Sequence, residues 1–374
     1  MVSADRPAGA ALASKNVALA VDGLENRERK RVLGTLEAYR GLAALVVVII
    51  HGTSVLGTGL VPAHGYLAVD LFFVLSGIVM ARSYGDRLAN RTLSPTQFIR
   101  LRIIRLWPLI AFGALAAGLV ELAVIASGRA TPYAGVGSLG SSVLLTILLV
   151  PQPWIDGVNF FPLNTPYWSL FFEFWVNVLF ALMWPLGGSR RLAILILLSA
   201  LALVAGAIKA DGFATSFHYQ EMGVATARTL YCFFVGVVIS RRPQKPHRTS
   251  NIIVIIGALA CLVTFWSSWQ NSFVWHDLIA DLLVLPLVGW LTTRVEPGPG
   301  ATKLARVLGR ASYPVYALHM QIIILIVALS SMLGIRSLFP AQSLVLIVLP
   351  ALILVGLAVD HYIDAPMRTW LSKR

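Results

Sequence analysis

This chain of 374 residues is too apolar and too weakly charged for a soluble globular protein. Hydrophobic residues make up 57 % of the sequence and charged residues 13 %, which is about half of the charged fraction that soluble domains carry. Lys and Arg number 30 against 17 Asp and Glu, and we attribute this excess to membrane topology rather than to a nucleic-acid partner. The composition predicts an all-α protein, a polytopic bundle of transmembrane helices.

Ten apolar runs have the length of about 17–25 residues that a membrane-spanning helix needs. These predicted spans are 36–55, 66–83, 105–126, 166–186, 191–209, 222–240, 251–268, 274–292, 311–332 and 342–361. A further apolar run, 139–151, is shorter and ends in PQPW, so we interpret it as a re-entrant or interfacial segment. Cys232 and Cys261 lie in apolar runs without metal-ligand spacing, and we interpret them as buried thiols.

The distribution of basic residues predicts the topology. In a ten-span arrangement most Lys and Arg fall in loops on one side of the membrane, as the positive-inside rule requires of cytoplasmic loops. Both termini are therefore predicted to be cytoplasmic. We divide the chain into a flexible cytoplasmic N-terminal tail (1–34), a transmembrane domain (35–366) and a cytoplasmic C-terminal tail (367–374).

The stretch EAYRGLAALVVVIIH, residues 37–51, carries the first two candidate functional residues. Arg40 and His51 are eleven positions apart, so on a helix they share a face and lie roughly 16 Å apart along its axis. Ionisable groups are costly inside a membrane and often mark functional sites. A neutral imidazole can take a proton from a hydroxyl group and return it, so His51 is a candidate general base. The alternative is a histidine that only hydrogen-bonds neighbouring helices.

The second span begins near Asp70 and continues through Ser76. Small residues such as Ser76 and Gly77 favour close packing of membrane helices. A carboxylate at Asp70 could orient an imidazole by accepting its hydrogen bond. The alternative is a carboxylate that is stabilised by the dipole of a helix N-terminus.

Arg102 and Arg105 in RLRIIRLWP are three residues apart, on one face at the predicted cytoplasmic start of the third span. Two guanidinium groups on one face suit a phosphate or pyrophosphate group. The alternative is a cluster that only sets topology, because six arginines crowd residues 82–105.

Three further candidates lie in later spans. Glu173 is predicted to lie about two turns inside the outer surface, among aromatic residues such as Trp168, and needs a partner if it is buried. Arg228 in the sixth span is the partner we expect, and a purely structural ion pair is the alternative. His319 lies about 12 Å into its span from the predicted cytoplasmic end, and we interpret it as structural or as part of a donor site. No metal site is predicted.

Six sequence blocks together resemble acyltransferase family 3, whose membrane proteins transfer acyl groups, most often acetyl, to cell-surface saccharides. The blocks are LEAYRGLAALVVVIIH, GYLAVDLFFVLSG, RIIRLWP, YWSLFFEFW, the arginine-containing span that ends in FFVG, and SYPVYALH, and they follow the family's order over residues 35–320. The C-terminal IDAPMR resembles a weaker version of the family's acidic-Pro ending.

The resemblance implies a membrane O-acyltransferase in a bacterial inner (plasma) membrane. The implied donor is cytoplasmic acyl-coenzyme A, most often acetyl-coenzyme A, and the implied acceptor is a hydroxyl group of a saccharide or glycolipid on the opposite side. His51 corresponds to the family's essential histidine and Arg40 to its arginine. Arg102 and Arg105 correspond to its RxxR motif.

The residues and the resemblance together predict a set of site residues. We expect His51 to be the general base or a transient acyl carrier, oriented by Asp70 or Glu173. The donor site is expected to contain Arg40, Arg102, Arg105 and His319, and acceptor contacts or a structural pair are expected from Trp168, Ser76 and Arg228. The alternative function is a secondary transporter or flippase for a lipid-linked or sugar substrate, because buried ionisable groups suit such proteins too. Homo-oligomerisation is left open.

Overall fold

The computed structural model describes the chain from residue 33 onward, with short gaps. The described residues are 33–56, 61–184, 188–214, 217–241, 248–267, 273–332, 334 and 341–373. The predicted N-terminal tail lies outside the described residues apart from its last two positions, and so does most of the RRPQKPHR loop.

Helices form nearly all of the regular structure in the described part of the chain. In chain order they are α1 (Gly34–Leu56), α2 (Leu67–Ala89), α3 (Pro95–Ala126), α4 (Val136–Ile147), α5 (Tyr167–Met183), α6 (Ser189–Ala210), α7 (Met222–Ser240), α8 (Asn251–Trp266), α9 (Phe273–Ile279), α10 (Leu285–Thr292), α11 (Pro299–Met332), α12 (Ala341–Val359) and α13 (Ala365–Ser372). A 3₁₀ turn, Tyr219–Glu221, precedes α7, and π-helical turns, Ala280–Val284 and Asp360–Asp364, join α9 to α10 and α12 to α13. The two-residue strands β1 (Arg248–Thr249) and β2 (Val295–Glu296) pair in parallel.

Eight helical segments among the described residues are long and apolar enough to cross a bilayer. They correspond to eight of the ten predicted spans, and the predicted polytopic all-α bundle is confirmed. The other two predicted spans, 166–186 and 251–268, fall on the shorter helices α5 and α8, of 17 and 16 residues. The run 139–151 overlaps α4, whose 12 residues cover about 18 Å, well short of the roughly 30 Å of a bilayer's hydrocarbon core.

Contacts between helix ends define two faces of the bundle. The starts of α1, α8 and α11 meet at the strand pair, where the backbone N–H of Gly34 donates to Oε2 of Glu296 at 2.8 Å. Burial raises the pKa of the Glu296 carboxyl above its ordinary value. We call this end of the bundle, where α1, α8 and α11 begin, the basic face. At the opposite end, the far face, the N–H of His64 before α2 donates to the carbonyl oxygen of Phe265 near the end of α8, at 3.0 Å.

The helices α1 and α11 both start at the basic face and pack along each other. A Cβ atom at Gly41 would lie 2.5 Å from the Cβ of Leu308, and one at Gly309 would overlap a carboxylate of α1. Because neither glycine has a side chain, the two backbones approach closely. This packing brings His51 of α1 beside His319 of α11.

A second close pair is formed by α2 and α7. A Cβ atom at Gly77 would lie 2.0 Å from the carbonyl oxygen of Phe233, and one at Gly236 would lie 2.1 Å from that of Val74. The contact face of α2 therefore contains Val74 and Gly77. Asp70 lies one turn before Val74 on the same face, so it points toward α7.

The start of α3 is fixed by a capping box. The hydroxyl of Ser94 accepts from the N–H of Gln97, the Gln97 side chain accepts from the N–H of Ser94, and Pro95 occupies the first helical position. These groups satisfy amide hydrogens that would otherwise lack partners. The helix so defined presents Arg102 and Arg105 two and three turns later.

The helix α5 begins inside the bundle rather than at the far face. The loop before it is folded into the bundle, with Phe160 fully buried, and the carbonyl oxygen of Pro166 accepts from the hydroxyl of Tyr316 in the middle of α11, at 3.3 Å. Residues after the first turn of α5 therefore lie toward the basic face. The expected position of Glu173 near the outer surface is wrong, because the loop before α5 fills the far half of the bundle here and the helix begins inside it.

Candidate active site

A cavity of about 780 Å³ lies in the basic half of the bundle, between α1, α2, α3, α5 and α11. Its volume is within the range of sites that hold small molecules and cofactors. Six arginines line it: Arg40, Arg102, Arg105, Arg306, Arg310 and Arg368. Glu37 and Glu173 are the acidic residues in the lining, so the wall carries an excess of positive charge.

Both arginines of the RLRIIRLWP stretch reach the cavity. Nη2 of Arg102 donates to Oε1 of Glu173 at 3.1 Å. Nη1 of Arg105 donates to Oδ2 of Asp364 at 3.2 Å, and its guanidinium lies over the ring of Tyr313, 4.6 Å from the centroid. A guanidinium has five N–H donors, so one carboxylate can fix its orientation and leave donors for a ligand.

Arg40 lines the same cavity from α1. Its side chain is 25 % exposed, and its Nη1 donates to Oε1 of Glu37, one turn earlier, at 3.3 Å. The cavity therefore brings together Arg40, Arg102 and Arg105, which the sequence analysis grouped in one predicted donor site.

Three arginines that the sequence analysis did not single out complete the cationic wall. Arg306 and Arg310 lie one turn apart on α11, and Arg368 projects from α13. Nη2 of Arg310 donates to Asp360 at 2.8 Å, and Nη2 of Arg368 donates to the same carboxylate at 3.4 Å. The sequence held a signal for this group, because Asp360, Asp364 and Arg368 follow at intervals of four and so share one helical face.

The inner end of the cavity is formed by Ser169 of α5 and Tyr316 of α11. Their hydroxyl groups hydrogen-bond to each other. Phe72 packs edge-on against Tyr316, with 5.6 Å between ring centroids. His319 lies 5.9 Å from the Tyr316 ring, also between centroids, so the cavity ends one aromatic ring away from His319.

His51 and His319 form a close pair beyond this inner end. Nδ1 of His51 lies 2.9 Å from the carbonyl oxygen of Val47, and Nδ1 of His319 lies 2.7 Å from that of Tyr316. Nε2 of His319 lies 3.3 Å from Nδ1 of His51, and the ring centroids are 4.9 Å apart. His319, assigned in the sequence analysis to the donor site or to a structural role, is therefore the direct neighbour of His51.

The contacts of the pair with backbone carbonyl oxygens indicate its tautomers. A backbone carbonyl oxygen only accepts hydrogen bonds, so each neutral ring carries its hydrogen on Nδ1. Nε2 of His319 then faces Nδ1–H of His51 as an acceptor. Nε2 of His51 is left with its lone pair, and no group among the described residues hydrogen-bonds to it. A general base acts through such a nitrogen.

We expected Asp70 or Glu173 to orient His51, but Asp70 does not contact His51. It is fully buried and holds Arg228 through two hydrogen bonds, one from Nε to Oδ1 at 3.0 Å and one from Nη2 to Oδ2. The physical reason is the close approach of α2 and α7, which turns Asp70 toward α7 and away from α1.

Glu173 does not take the expected partner either. It binds Arg102 and accepts from the hydroxyl of Ser76 at 3.3 Å, so the expected pair of Glu173 with Arg228 is wrong. Ser76 thereby lines the cavity. Trp168 does not line it, and its ring instead lies 5.8 Å from the guanidinium of Arg228.

The ion pair of Asp70 and Arg228 belongs to a closed polar cluster near the far face. Asp277 accepts from the hydroxyl of Tyr66 at 2.8 Å, from the N–H of Phe213 at 3.0 Å and from Nδ1 of His64 at 2.8 Å. Nη1 of Arg228 donates to the carbonyl oxygen of Phe213 at 3.1 Å. The cluster therefore joins loop backbone to α2, α7 and α9.

Two sets of side chains in this half have ligand types that bind metal ions. They are His64, His276 and Asp277, and Asp70, Cys232 and Asp281, with the ligand atoms of each set within 4.8 Å of one another. Asp277 already accepts three hydrogen bonds. A cation at Asp70 would be repelled by the guanidinium of Arg228. We therefore assign no metal to either set.

The family model of the acyltransferase domain, that of acyltransferase family 3, matches residues 33–360. This chain belongs to acyltransferase family 3. It is a multi-pass membrane acyltransferase, and the resemblance seen in its sequence blocks is confirmed. The matched residues of this family 3 protein include the histidine pair and five of the six cavity arginines.

Curated relatives agree with this membership. The chain is 36 % identical over 184 residues to Protein 2 in picA locus of Rhizobium radiobacter, which is 46 % of this chain and 93 % of that protein. It is 32 % identical over 194 residues to Acyltransferase MdmB of Streptomyces mycarofaciens, 49 % of this chain and 47 % of that one. BcsY of Komagataeibacter xylinus, provisionally named a membrane-bound transacylase, is 26 % identical over 306 residues, 76 % of this chain and 71 % of that one. No solved structure matches the chain significantly.

Proposed function

We propose that this acyltransferase moves an acyl group, most readily acetyl, from acyl-coenzyme A to a hydroxyl group of a saccharide or glycolipid. The observation that carries the proposal is that the arginine-lined cavity ends next to the histidine pair, with the Tyr316 ring between them. The arginine-lined wall ends at Tyr316, and His319 and His51 follow directly. Along α11, Arg306 and His319 are thirteen residues apart, about 20 Å.

The cationic wall supports a donor with several phosphate groups. Arginine binds phosphate through paired, charge-assisted hydrogen bonds, and six arginines face one cavity. Coenzyme A carries its phosphates at one end and its thioester at the end of a long arm. With the phosphates near Arg306 and Arg310, the arm would pass Tyr313 and bring the thioester to Tyr316.

The position of His51 supports general-base catalysis. Its Nε2 would take the proton of the acceptor hydroxyl while the oxygen attacks the thioester carbonyl carbon. The C–S bond then breaks, and the proton on Nε2 passes to the leaving thiolate. The products are an ester and free coenzyme A, and His51 returns to its neutral state.

A covalent variant of the same proposal has His51 itself accept the acyl group before the acceptor binds. It would let the acyl group pass the protein without movement of the donor. Intact-protein mass spectrometry of the enzyme mixed with acetyl-coenzyme A alone separates the two routes. An added acetyl group that is absent from His51→Ala supports the covalent route, and its absence from the wild type supports direct transfer.

We also infer that the basic face is cytoplasmic and that the membrane is a bacterial inner membrane. Coenzyme A thioesters are made in the cytoplasm, and the positive-inside rule favours the same orientation. Because Cys232 and Cys261 are buried, a Lys373→Cys variant carries one exposed thiol. We expect a membrane-impermeant maleimide to label it only after the cells are opened, and labelling of intact cells would contradict this orientation.

The central test uses purified protein in liposomes with radiolabelled acetyl-coenzyme A and glycans extracted from a strain that lacks the protein. We expect label in the glycan and release of free coenzyme A, both lost in His51→Ala. His361→Ala is the matched control, because His361 is exposed and lies away from the histidine pair. Full transfer by His51→Ala overturns the proposal. Protein-dependent movement of unmodified glycan without release of coenzyme A would support a transporter instead.

A further inference from the structure

The structure supplies His51 with a hydrogen-bond partner that sequence reasoning did not assign to it. A base that acts through Nε2 needs its Nδ1 hydrogen held by an acceptor, which in a catalytic triad is a carboxylate. The two expected carboxylates, Asp70 and Glu173, are held by Arg228 and Arg102. The side-chain atom that lies next to Nδ1 of His51 is Nε2 of His319.

We propose that His319 is the positioning residue of the acyl-transfer reaction, with its Nε2 accepting the Nδ1 hydrogen of His51. This inference rests on the proposed role of His51 as the base. His319 is itself held in place from behind, because its Nδ1–H donates to the carbonyl oxygen of Tyr316 at 2.7 Å. Its side chain is almost completely buried, so water does not compete for Nε2.

The chain of hydrogen bonds has one direction. It runs from Nδ1–H of His51 to Nε2 of His319, and from Nδ1–H of His319 to the Tyr316 carbonyl oxygen. When His51 takes the acceptor proton on Nε2, it becomes an imidazolium whose Nδ1 hydrogen faces two acceptors, Nε2 of His319 and the Val47 carbonyl oxygen. Both acceptors stabilise the positive charge at the moment when it forms.

A neutral acceptor suits this depth in the bundle. An ionised carboxylate beside His51 would have to be desolvated in the resting enzyme, which costs several kcal/mol per buried ion. An imidazole avoids that cost and still offers one lone pair in the required direction. No bond to His319 is made or broken in this role, and its hydrogen stays on Nδ1.

Replacement of His319 by each of the two amide residues, Gln and Asn, separates a positioning role from a purely structural one. In His319→Gln the amide can put its oxygen near the position of Nε2 and so keep an acceptor for His51. In His319→Asn the shorter amide lies near the position of Nδ1, so it keeps the bond to Tyr316 and loses the contact with His51. We expect His319→Gln to retain kcat within about tenfold and His319→Asn to lose about 10²-fold or more, the scale of a general-base contribution.

The Michaelis constant for the donor serves as the second readout. His319 does not line the cavity, so we expect the donor KM to change less than threefold in both variants. If His319 only fills space and binds Tyr316, Asn will be at least as active as Gln, and this order overturns the inference. A rise in the donor KM with unchanged kcat overturns it as well, because it would make His319 a donor-binding residue.

Parallel assays keep this inference distinct from the proposed function. Loss of transfer in His51→Ala together with equal, near-wild-type kcat in the two His319 variants rejects the role of His319 alone. Full transfer in His51→Ala rejects the proposed function itself. If both His319 variants misfold, ¹⁵N NMR of histidine-labelled wild-type protein decides the question. A hydrogen on Nδ1 of His51 supports the inference, and one on Nε2 overturns it.

Discussion

Two groups of ionised side chains lie at different depths of the bundle and differ in exposure, pairing and sign. In the cavity group, the six arginines of the cavity wall with their carboxylate partners, side-chain exposure ranges from 54 % at Arg310 and 31 % at Arg105 to 9 % at Arg102. The far group contains Arg228 and Asp70, whose side chains are 1 % and 0 % exposed. The cavity group has more arginines than carboxylates, whereas Arg228 is surrounded by Asp70, Asp277 and Asp281.

This difference indicates what each group does. A charge at the wall of an open cavity keeps part of its hydration, and a ligand of opposite sign can replace the remaining water. A charge that is closed off must be balanced by the protein itself, because desolvation of an unpaired ion costs several kcal/mol. The far group therefore holds α2, α7 and α9 together, and the cavity group is available to a ligand. Substitutions in each group test that division.

The largest effect on stability is expected from Arg228→Leu. The substitution removes both hydrogen bonds to Asp70 and the bond to Phe213, and leaves a buried carboxylate without its cation. Loss of one member of a buried ion pair costs about 3–5 kcal/mol. We expect a large fall in the apparent melting temperature of the protein in detergent micelles.

Arg310→Leu is the matched control for this experiment. Arg310 also pairs with a carboxylate, Asp360, at 2.8 Å, but its side chain is 54 % exposed, and such pairs contribute about 1 kcal/mol or less. If the two variants melt at the same temperature, burial does not distinguish the two groups, and the division between them is wrong.

The same contrast shows which features could be predicted from the sequence. Spans such as α1 and α2 follow from the length of apolar runs, and the grouping of Arg40 with Arg102 and Arg105 follows from the position of each along its helix. The position of these residues in the sequence thus indicates their depth along the helix. These predictions required no knowledge of which helices are neighbours.

Ion-pair partners on different helices could not be predicted, because they depend on how helices pack. Asp70 meets Arg228 since Gly77 and Gly236 bring α2 against α7. Glu173 lies near the basic face because a buried loop precedes α5 and the helix begins inside the bundle. His319 is beside His51 because α1 and α11 are neighbours, a fact that no pattern within either helix contains.

A smaller effect, on binding rather than on stability, is expected from Arg102→Ala and Arg105→Ala. Hydrogen bonds to charged groups contribute about 1.5–3 kcal/mol each, which corresponds to about 10- to 150-fold weaker binding of coenzyme A. Isothermal titration calorimetry in detergent, at low and high salt, measures this change. The melting temperature should fall much less than in Arg228→Leu, since both arginines face the cavity.

Two controls sharpen the assignment of the donor site. Arg190→Ala removes an exposed arginine at the start of α6, outside the cavity, and should leave the affinity unchanged. With a donor that lacks the 3′-phosphate, the arginine that binds this phosphate should lose its effect and the other should keep it. Equal affinity of the wild type and both cavity variants for coenzyme A would place the donor elsewhere.

The smallest effect is expected from Asp281→Asn, and it tests whether every charge of the far group is paired. Neither oxygen of Asp281 has a hydrogen-bond partner among the described residues, although the side chain is fully buried. Arg228 is already held by Asp70, so an ionised Asp281 would lack compensation, and buried carboxyl groups in that position are neutralised by a proton. An amide of the same shape then changes little, and we expect stability within about 1 kcal/mol of the wild type.

Asp70→Asn, the same chemical change one helix away, should cost several times as much. A large loss of stability in Asp281→Asn would instead mean that Arg228 is shared between two ionised carboxylates. Asp281 would then be a carboxylate that Arg228 balances, and not a protonated, neutral group.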